Sequence, residues 1–294
     1  MKKISTHIIV SDLSQNIEDL LVSISHKENE INIIHSDSKN ISAHKNEIVN
    51  KSQIDWHMYF EPNEILVSGL DRILDVINED NCYNFLIIQN NIIMKSCRLW
   101  NKKNNYSFIN PVFSHLNCTK TKTIDVMVKS KVVDIDRMDI VLSWINENKL
   151  YAPPYYYQSC IYLQQKKYKE FLNSSEKYLF YEKKKNLSFV MTKYYRAYAY
   201  LNLDEHLKAI DEIQYCLKYK SDMAEFWCLF GDILSAGRDY QQAIGMYNQA
   251  MTLGSSRNIY DDYPIMPLCY NEYPSNNITA CNEILKNIKQ YSLN

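Results

Sequence analysis

The chain has 294 residues, about twice the length of a common domain, and its 46% hydrophobic and 23% charged residues mark an ordered globular protein, not a disordered or collagen-like one. Lys and Arg number 33 against 34 Asp and Glu, and a net charge of -1 removes the bulk attraction on which non-specific nucleic-acid binding depends, so no nucleic-acid partner is expected. The eight cysteines form no C-x-x-C pair and have no His at ligand spacing, which predicts buried free thiols in a reducing compartment, with neither a zinc site nor a disulfide framework. After Lys2 and Lys3 the apolar stretch is only Ile8, Ile9 and Val10, too short for a signal-peptide core or a spanning helix; a cytoplasmic protein without a membrane span is the expectation.

In chain order, His7 to Val10 reads as a strand, and Ile17, Leu20, Leu21 and Ile24 then fall at i, i+3, i+4, i+7, the apolar stripe of a helix. A strand over 31–34, a helix over 42–50 and a strand over 56–60 follow. Next comes a predicted helix with Leu66, Leu70, Ile73, Leu74 and Ile77 on its inner face. Further β-branched runs at 85–89, 92–100 and 123–135 complete an α/β domain over residues 1–145, its sheet parallel at first and finishing with antiparallel strands.

Beyond residue 150 the pattern is helical and repeats. Gly231, Ala243 and Ala250 are small residues suited to the close approach of two helices, and 34 residues before each stand Ala197, Ala209 and Cys216. Trp227, Phe230, Leu234 and Tyr247 occupy large apolar positions of the same template, and Gly237 to Tyr240 makes the turn within the hairpin. A weaker copy starts at Pro154 with Ser159, Phe171 and Tyr178, offset by 38 because of the loop at Lys183 to Lys185, and a partial fourth runs from Pro264 through Ala280 and Leu285. That period is the signature of tetratricopeptide (TPR) repeats, here an all-α array over 150–292. Its stacked hairpins predict a groove within 154–253 for a protein or peptide partner; the alternative is an array that only braces the first domain. Tyr155 to Tyr157 and Tyr194 to Tyr195 are read as core packing, since helical spacing spreads each run over several faces.

Three segments carry a resemblance. Ile41-Ser42-Ala43-His44-Lys45-Asn46, followed by Asp55-Trp56-His57-Met58-Tyr59-Phe60-Glu61-Pro62-Asn63-Glu64, resembles the F-S-x-A-R-N and D-W-I-L-F-L-D-A-D-E runs of family 2 glycosyltransferases of the GT-A fold. Cys97-Arg98-Leu99-Trp100 is similar to the later R-L-F strand of that family, and fusion to TPR repeats is a known family arrangement, including in bacterial peptide S-glycosyltransferases that modify bacteriocins. The resemblance implies a contracted GT-A-like domain joined to TPR repeats. For an active enzyme it further implies Glu61 and Asn63 on Mn²⁺ or Mg²⁺, Asp37 on the nucleotide and Lys45 near the diphosphate of a nucleotide-sugar, with a protein, peptide or glycan as acceptor.

The departures from the family pattern are as informative. Where the family has D-A-D, this chain has Glu61, Pro62 and Asn63, with one formal charge lost, and Asn63 before Glu64 also fits the start of a helix. About one strand and helix are missing before Ser42, leaving 33–38 as either a contracted base-binding segment or the later strand. The family's H-E pair, whose Glu can act as general base, falls on Phe113-Ser114, two residues before His115, and Gly69 is the one glycine of the domain, so no Gly-rich loop cradles phosphates. No catalytic residue is assigned. Three readings stand: a non-catalytic protein- or peptide-binding scaffold beside an active glycosyltransferase, a divergent metal-dependent transferase, or a repeat adaptor with an unrelated α/β domain.

Overall fold

Short β-branched and aromatic runs alternate with amphipathic stretches through the first part of the chain, and they fold as alternating strands and helices. The computed structural model describes residues 3–10, 17–24, 30–35, 40–78, 81–110, 115–118, 120–131, 137–254, 257–258 and 261–292. The chain forms two units, Met1–Ile140 and Val141–Asn294. In the first, β1 (Ile4–Val10), α1 (Glu18–Ile24), β2 (Glu30–His35), α2 (Ile41–Lys51), β3 (Trp56–Phe60) and β4 (Glu64–Ser68) are followed by a 3-10 turn and the short α3 (Ile73–Val76). Then come β5 (Cys82–Gln89), β6 (Ile92–Asn101), β7 (Phe108–Ile109), β8 (His115–Leu116) and β9 (Thr121–Ser130).

Seven of these strands, among the described residues, make one sheet in the order β2-β1-β3-β6-β5-β9-β4. β1 pairs in parallel with β2 and β3, and β5 in parallel with β9. Only β6 and β4 run against their neighbours. The sheet is thus parallel over its first three strands, and antiparallel pairing enters with the later ones, through β6 in the middle and between β4 and the last strand, β9; the parallel pair β5–β9 is the departure from the expected order. β7 and β8 form a separate antiparallel hairpin.

The helix expected over 66–77 is also corrected. Glu64 to Ser68 pairs with β9 as a strand, and Gly69 then takes a left-handed turn at φ +93°. A Cβ on Gly69 would lie 1.9 Å from the Asp125 carbonyl oxygen, so only glycine fits this approach. Leu70, Ile73 and Ile77 keep helical spacing beyond the glycine and are buried, whereas Leu66 reaches the same core from a strand. Helical and extended spacing coincide there, and the tertiary pairing decides.

β3 and β4 are joined by the tight turn Glu61 to Glu64, in which the Glu64 N–H donates to the Glu61 carbonyl at 3.1 Å. Three linking residues reach roughly 10 Å, yet four strand spacings across a flat sheet would need about 19 Å. The sheet must curl to bring β4 back to the end of β3, and this curl positions the charged groups described below.

β3 is buried along its whole length, as befits a strand covered on both faces. Trp56, Met58 and Phe60 pack with Ile4, Ile8, Phe85 and Leu99 on one face. On the other, Tyr59 packs with Val49, Trp100 and Phe108.

The second unit is a TPR-like helical array. Helix α4 (Met138–Glu147) leads into the hairpins α5 (Ala152–Gln164) with α6 (Tyr168–Tyr181), α7 (Leu187–Asn202) with α8 (His206–Tyr219), and α9 (Ala224–Ala236) with α10 (Tyr240–Thr252). Each hairpin turns on the same device. Lys166, Asp204 and Arg238 adopt positive φ of 56°, 58° and 66°, and the next N–H reaches back to a helix carbonyl: Lys167 to Tyr162, Glu205 to Tyr200, Asp239 to Leu234, at 2.8–2.9 Å. The small positions are buried as the period requires, with Ala197, Ala209, Cys216, Ala243 and Ala250 fully enclosed. At Gly231 a Cβ would sit 2.5 Å from the ring of Tyr247, so the helix pair α9 and α10 closes on that glycine. The expected partial fourth repeat takes a different form. A 3-10 turn at Pro267–Tyr270 leads into the single long helix α11 (Glu272–Ser292), which packs on α10. Among the described residues, no helix is long and apolar enough to cross a membrane.

Candidate functional site: a charged cluster at the end of β3

Asn40 caps α2 by accepting from the Ala43 N–H at 3.0 Å, which fixes the helix start and directs Lys45 inward. The Asn46 side chain accepts from the Phe108 N–H at 2.7 Å and donates to the Phe108 carbonyl at 2.9 Å, so β7 is pinned against α2. Lys45 is thus enclosed by Tyr59 and Phe108, its ammonium 4.3 Å and 5.0 Å from their ring centroids.

Arg98 approaches Tyr59 from β6. The register between β5 and β6 shifts by one residue, Tyr83 facing Leu99 and Asn84 facing Cys97, so Arg98 is the extra residue of a β-bulge. Its guanidinium carbon lies 4.3 Å from the Tyr59 centroid. Two cations therefore share one tyrosine ring.

The carboxylates complete the cluster. Glu64, with its side chain only 2% exposed, accepts from Arg98 at 2.6 Å and from the Glu61 backbone N–H at 2.8 Å. Glu61 lies 3.4 Å from the Lys45 ammonium and 3.9 Å from Arg98, with its side chain 40% exposed. Desolvation pushes the Glu61 carboxyl up, but Lys45 and Arg98, with Arg137, outweigh it and hold the group below the usual carboxylate range. Burial pushes the Lys45 ammonium down, with Glu61 opposing. Burial raises the Glu64 carboxyl against the pull of Arg98, and raises the Tyr59 hydroxyl to about 12.

Of the residues singled out in the sequence, the fold brings Lys45 and Glu61 together. Asn63 stands in the turn and starts no helix; its amide donates to the Ser130 hydroxyl at 3.1 Å and to the Lys131 carbonyl, tying the turn to the end of β9. Asp37 lies outside the described residues, as do Phe113 and Ser114. His115 is in β8, its Nδ1 3.3 Å from the Asn110 amide. Arg98 and Glu64 were missed as site residues, although a charge inside an otherwise apolar strand run is a visible signal in both segments.

These residues do not fit a divalent cation. The one carboxylate with an open face is already paired with two cations of its own chain, Glu64 is closed off by Arg98, and the Asn63 amide is turned to β9. The cavity lined by His7, Lys45, Ile48, Val49, Tyr59, Trp100 and Phe108 measures about 10 Å³, room for a single water.

Next to it, His7 on β1 and His57 on β3 meet through Nε2 and Nδ1 at 2.9 Å, their rings stacked 5.2 Å apart, with Trp100 stacked on His57. Burial lowers both to about 4, and the close neighbour adds to the effect on His57. The pair is neutral at pH 7.

No protein-family model matches the chain, and no curated protein matches it in sequence. Among solved structures, the chain is similar to the first TPR domain of human RPAP3, with a TM-score of 0.37 and 15% identity over 47% of this chain and 95% of that one. It is also similar to MamA from Desulfovibrio magneticus RS-1, with a TM-score of 0.38 and 13% identity over 51% and 84% of the two chains. The TPR2B domain of yeast Sti1, solved as a pHsp70 complex, gives a TM-score of 0.38 and 11% identity over 45% of this chain and 96% of that one.

Proposed function

We propose that this protein is a binding scaffold: a contracted, glycosyltransferase-like α/β unit that does not turn over a nucleotide-sugar, joined to a TPR array that holds a protein or peptide beside an active glycosyltransferase. One observation carries the reading. Glu61, which stands where the family presents its metal-binding carboxylates, is neutralised by Lys45 and Arg98 of the same chain. Lys45 and Arg98 balance the two carboxylates Glu61 and Glu64, so the cluster has no net negative charge to set against a bound Mn²⁺, and a divalent ion there would face the repulsion of both cations. The sheet supports descent from that fold: a parallel start, reversed strands at β6 in the middle and β4 at the edge, and one strand and helix fewer before α2, are what a contracted GT-A core should contain.

Partner binding is assigned to the array because three stacked hairpins over 154–253 bury their small positions between helices, as an array with a partner groove requires; along α9 that surface is taken by the chain's own Arg257, Met266, Cys269, Tyr270 and Tyr273, which contact Glu225, Cys228 and Asp232. The half-open carboxylate of Glu61 is the feature that favours the alternative, a divergent metal-dependent transferase.

Thermal unfolding with Mn²⁺ against a panel of UDP-, GDP- and dTDP-sugars separates the two, because a ligand that binds only the folded chain must raise the midpoint. The scaffold reading predicts no metal-dependent shift with any nucleotide. A shift with one of them, lost in Glu61→Ala, would overturn it and identify the donor.

A further inference from the structure

Three cysteines that are far apart in the chain meet at one end of the sheet. Cys82 opens β5, Cys97 lies in β6 beside the Arg98 bulge, and Cys118 follows β8. Their three sulfur atoms all lie within 4.8 Å of one another, and none is in a disulfide. Local hydrogen bonds fix two of the three carriers. Cys82 donates from its backbone N–H and its thiol to the Lys120 carbonyl, at 3.0 Å and 3.1 Å, and the Cys118 thiol donates to the Leu116 carbonyl at 3.7 Å. Cys82 is buried, while Cys97 and Cys118 are half-buried, so the cluster has an apolar back wall of Trp100, Phe108 and Leu116 and an open side.

We propose that Cys82, Cys97 and Cys118 form a thiolate site for a zinc ion. This inference is independent of the reading of the Glu61 cluster. Zn–S bonds of about 2.3 Å place tetrahedral sulfur ligands roughly 3.8 Å apart, which the trio reaches by small side-chain rotations. Three soft sulfur ligands select a thiophilic ion and discriminate against Mn²⁺ or Mg²⁺, which prefer oxygen. Each thiol releases its proton on binding, and the fourth position falls to solvent or to a neighbouring group. Because the three ligands come from β5, β6 and the segment after the β7–β8 hairpin, the ion would clamp that hairpin to these two inner strands of the sheet. Phe108 of the same hairpin covers Lys45, so the clamp also holds the lid of the charged cluster in place.

The test uses the full chain, reduced and stripped with chelator, and titrated with Co²⁺ as the spectroscopic probe before Zn²⁺. The expected result is a thiolate-to-cobalt charge-transfer band that saturates at an equimolar amount and is bleached by an equimolar amount of Zn²⁺. Cys97→Ser and Cys118→Ser should each abolish the saturable band, whereas Cys160→Ser, in the other unit, should leave it unchanged. Alkylation mapping on the unmodified protein guards against a variant that fails to fold: Zn²⁺ should slow the labelling of the half-buried Cys97 and Cys118 and leave the labelling of Cys160 unchanged. Absence of the band, a band that survives the triple replacement of the trio, or alkylation indifferent to Zn²⁺ would each overturn the proposal. So would a disulfide within the trio whose reduction restores thiols that bind neither metal.

Discussion

Replacing Arg98 with Met is expected to cost about 3–5 kcal/mol of unfolding free energy, the range for breaking a buried ion pair from one side. Glu64 has almost no access to water, and Arg98 is the cation that contacts it at 2.6 Å. Without the guanidinium, the carboxylate either stays charged in an apolar setting or takes up a proton, and either outcome destabilises the fold at pH 7. Arg98→Met together with Glu64→Gln removes both charges and should recover a large part of the loss, since the cost lies in the stranded partner more than in the missing attraction. Urea unfolding of the single and double variants checks this. A single variant within 1 kcal/mol of the parent would show that the pair does not hold β4 to β6.

The second large effect is on pH dependence. His7 and His57 have folded values near 4 against an ordinary value of 6.5, so between these limits the unfolded chain binds more protons than the folded one. Stability therefore rises with pH through this window and falls as the solution is acidified below 6.5. Each histidine is worth about 2 kcal/mol between pH 7 and pH 4.5, and the two cannot both carry a second proton at a 2.9 Å contact. Glu64 acts in the opposite sense, because burial raises its carboxyl and protonation then favours the fold in acid. Comparing the parent with His57→Gln isolates the histidine share: the variant should show a clearly shallower loss of stability from pH 7 to 4.5. Parallel curves for the two proteins would mean that the pair does not titrate on unfolding.

The strands at 56–60 and 31–34, the helix over 42–50 and the 34-residue period were legible in the sequence because each rests on local spacing. The misread segment, 66–77, shows where such reasoning stops. Leu66, Leu70 and Ile73 satisfy a helical stripe, but Gly69 must pass within van der Waals reach of the Asp125 carbonyl, a partner more than fifty residues away in the chain. The charged cluster was half visible. Lys45 and Glu61 were marked by the motif they resemble, while Arg98 reaches Glu64 only because of a one-residue register shift and because the sheet curls, neither of which leaves a mark on spacing. The cysteines follow the same rule. A search for nearby pairs finds nothing, since Cys82, Cys97 and Cys118 are assembled by strand pairing and a hairpin. In the repeats the recurring left-handed residue of each turn is Lys166, Asp204 or Arg238, and a glycine marks only the third of these turns, at Gly237.

The measurement that bears most directly on the central claim is a titration of the full chain with Mn²⁺ in the presence of excess UDP, followed by the electron paramagnetic resonance signal of free Mn²⁺. With Lys45 and Arg98 already on Glu61, no saturable loss of the free-ion signal beyond that caused by UDP alone is expected, and Glu61→Ala should give the same titration as the parent. Manganese avoids the thiol cluster by its preference for oxygen, so that site does not confuse the reading. Stoichiometric Mn²⁺ binding that disappears in Glu61→Ala would contradict the account and return the first unit to the metal-dependent transferases.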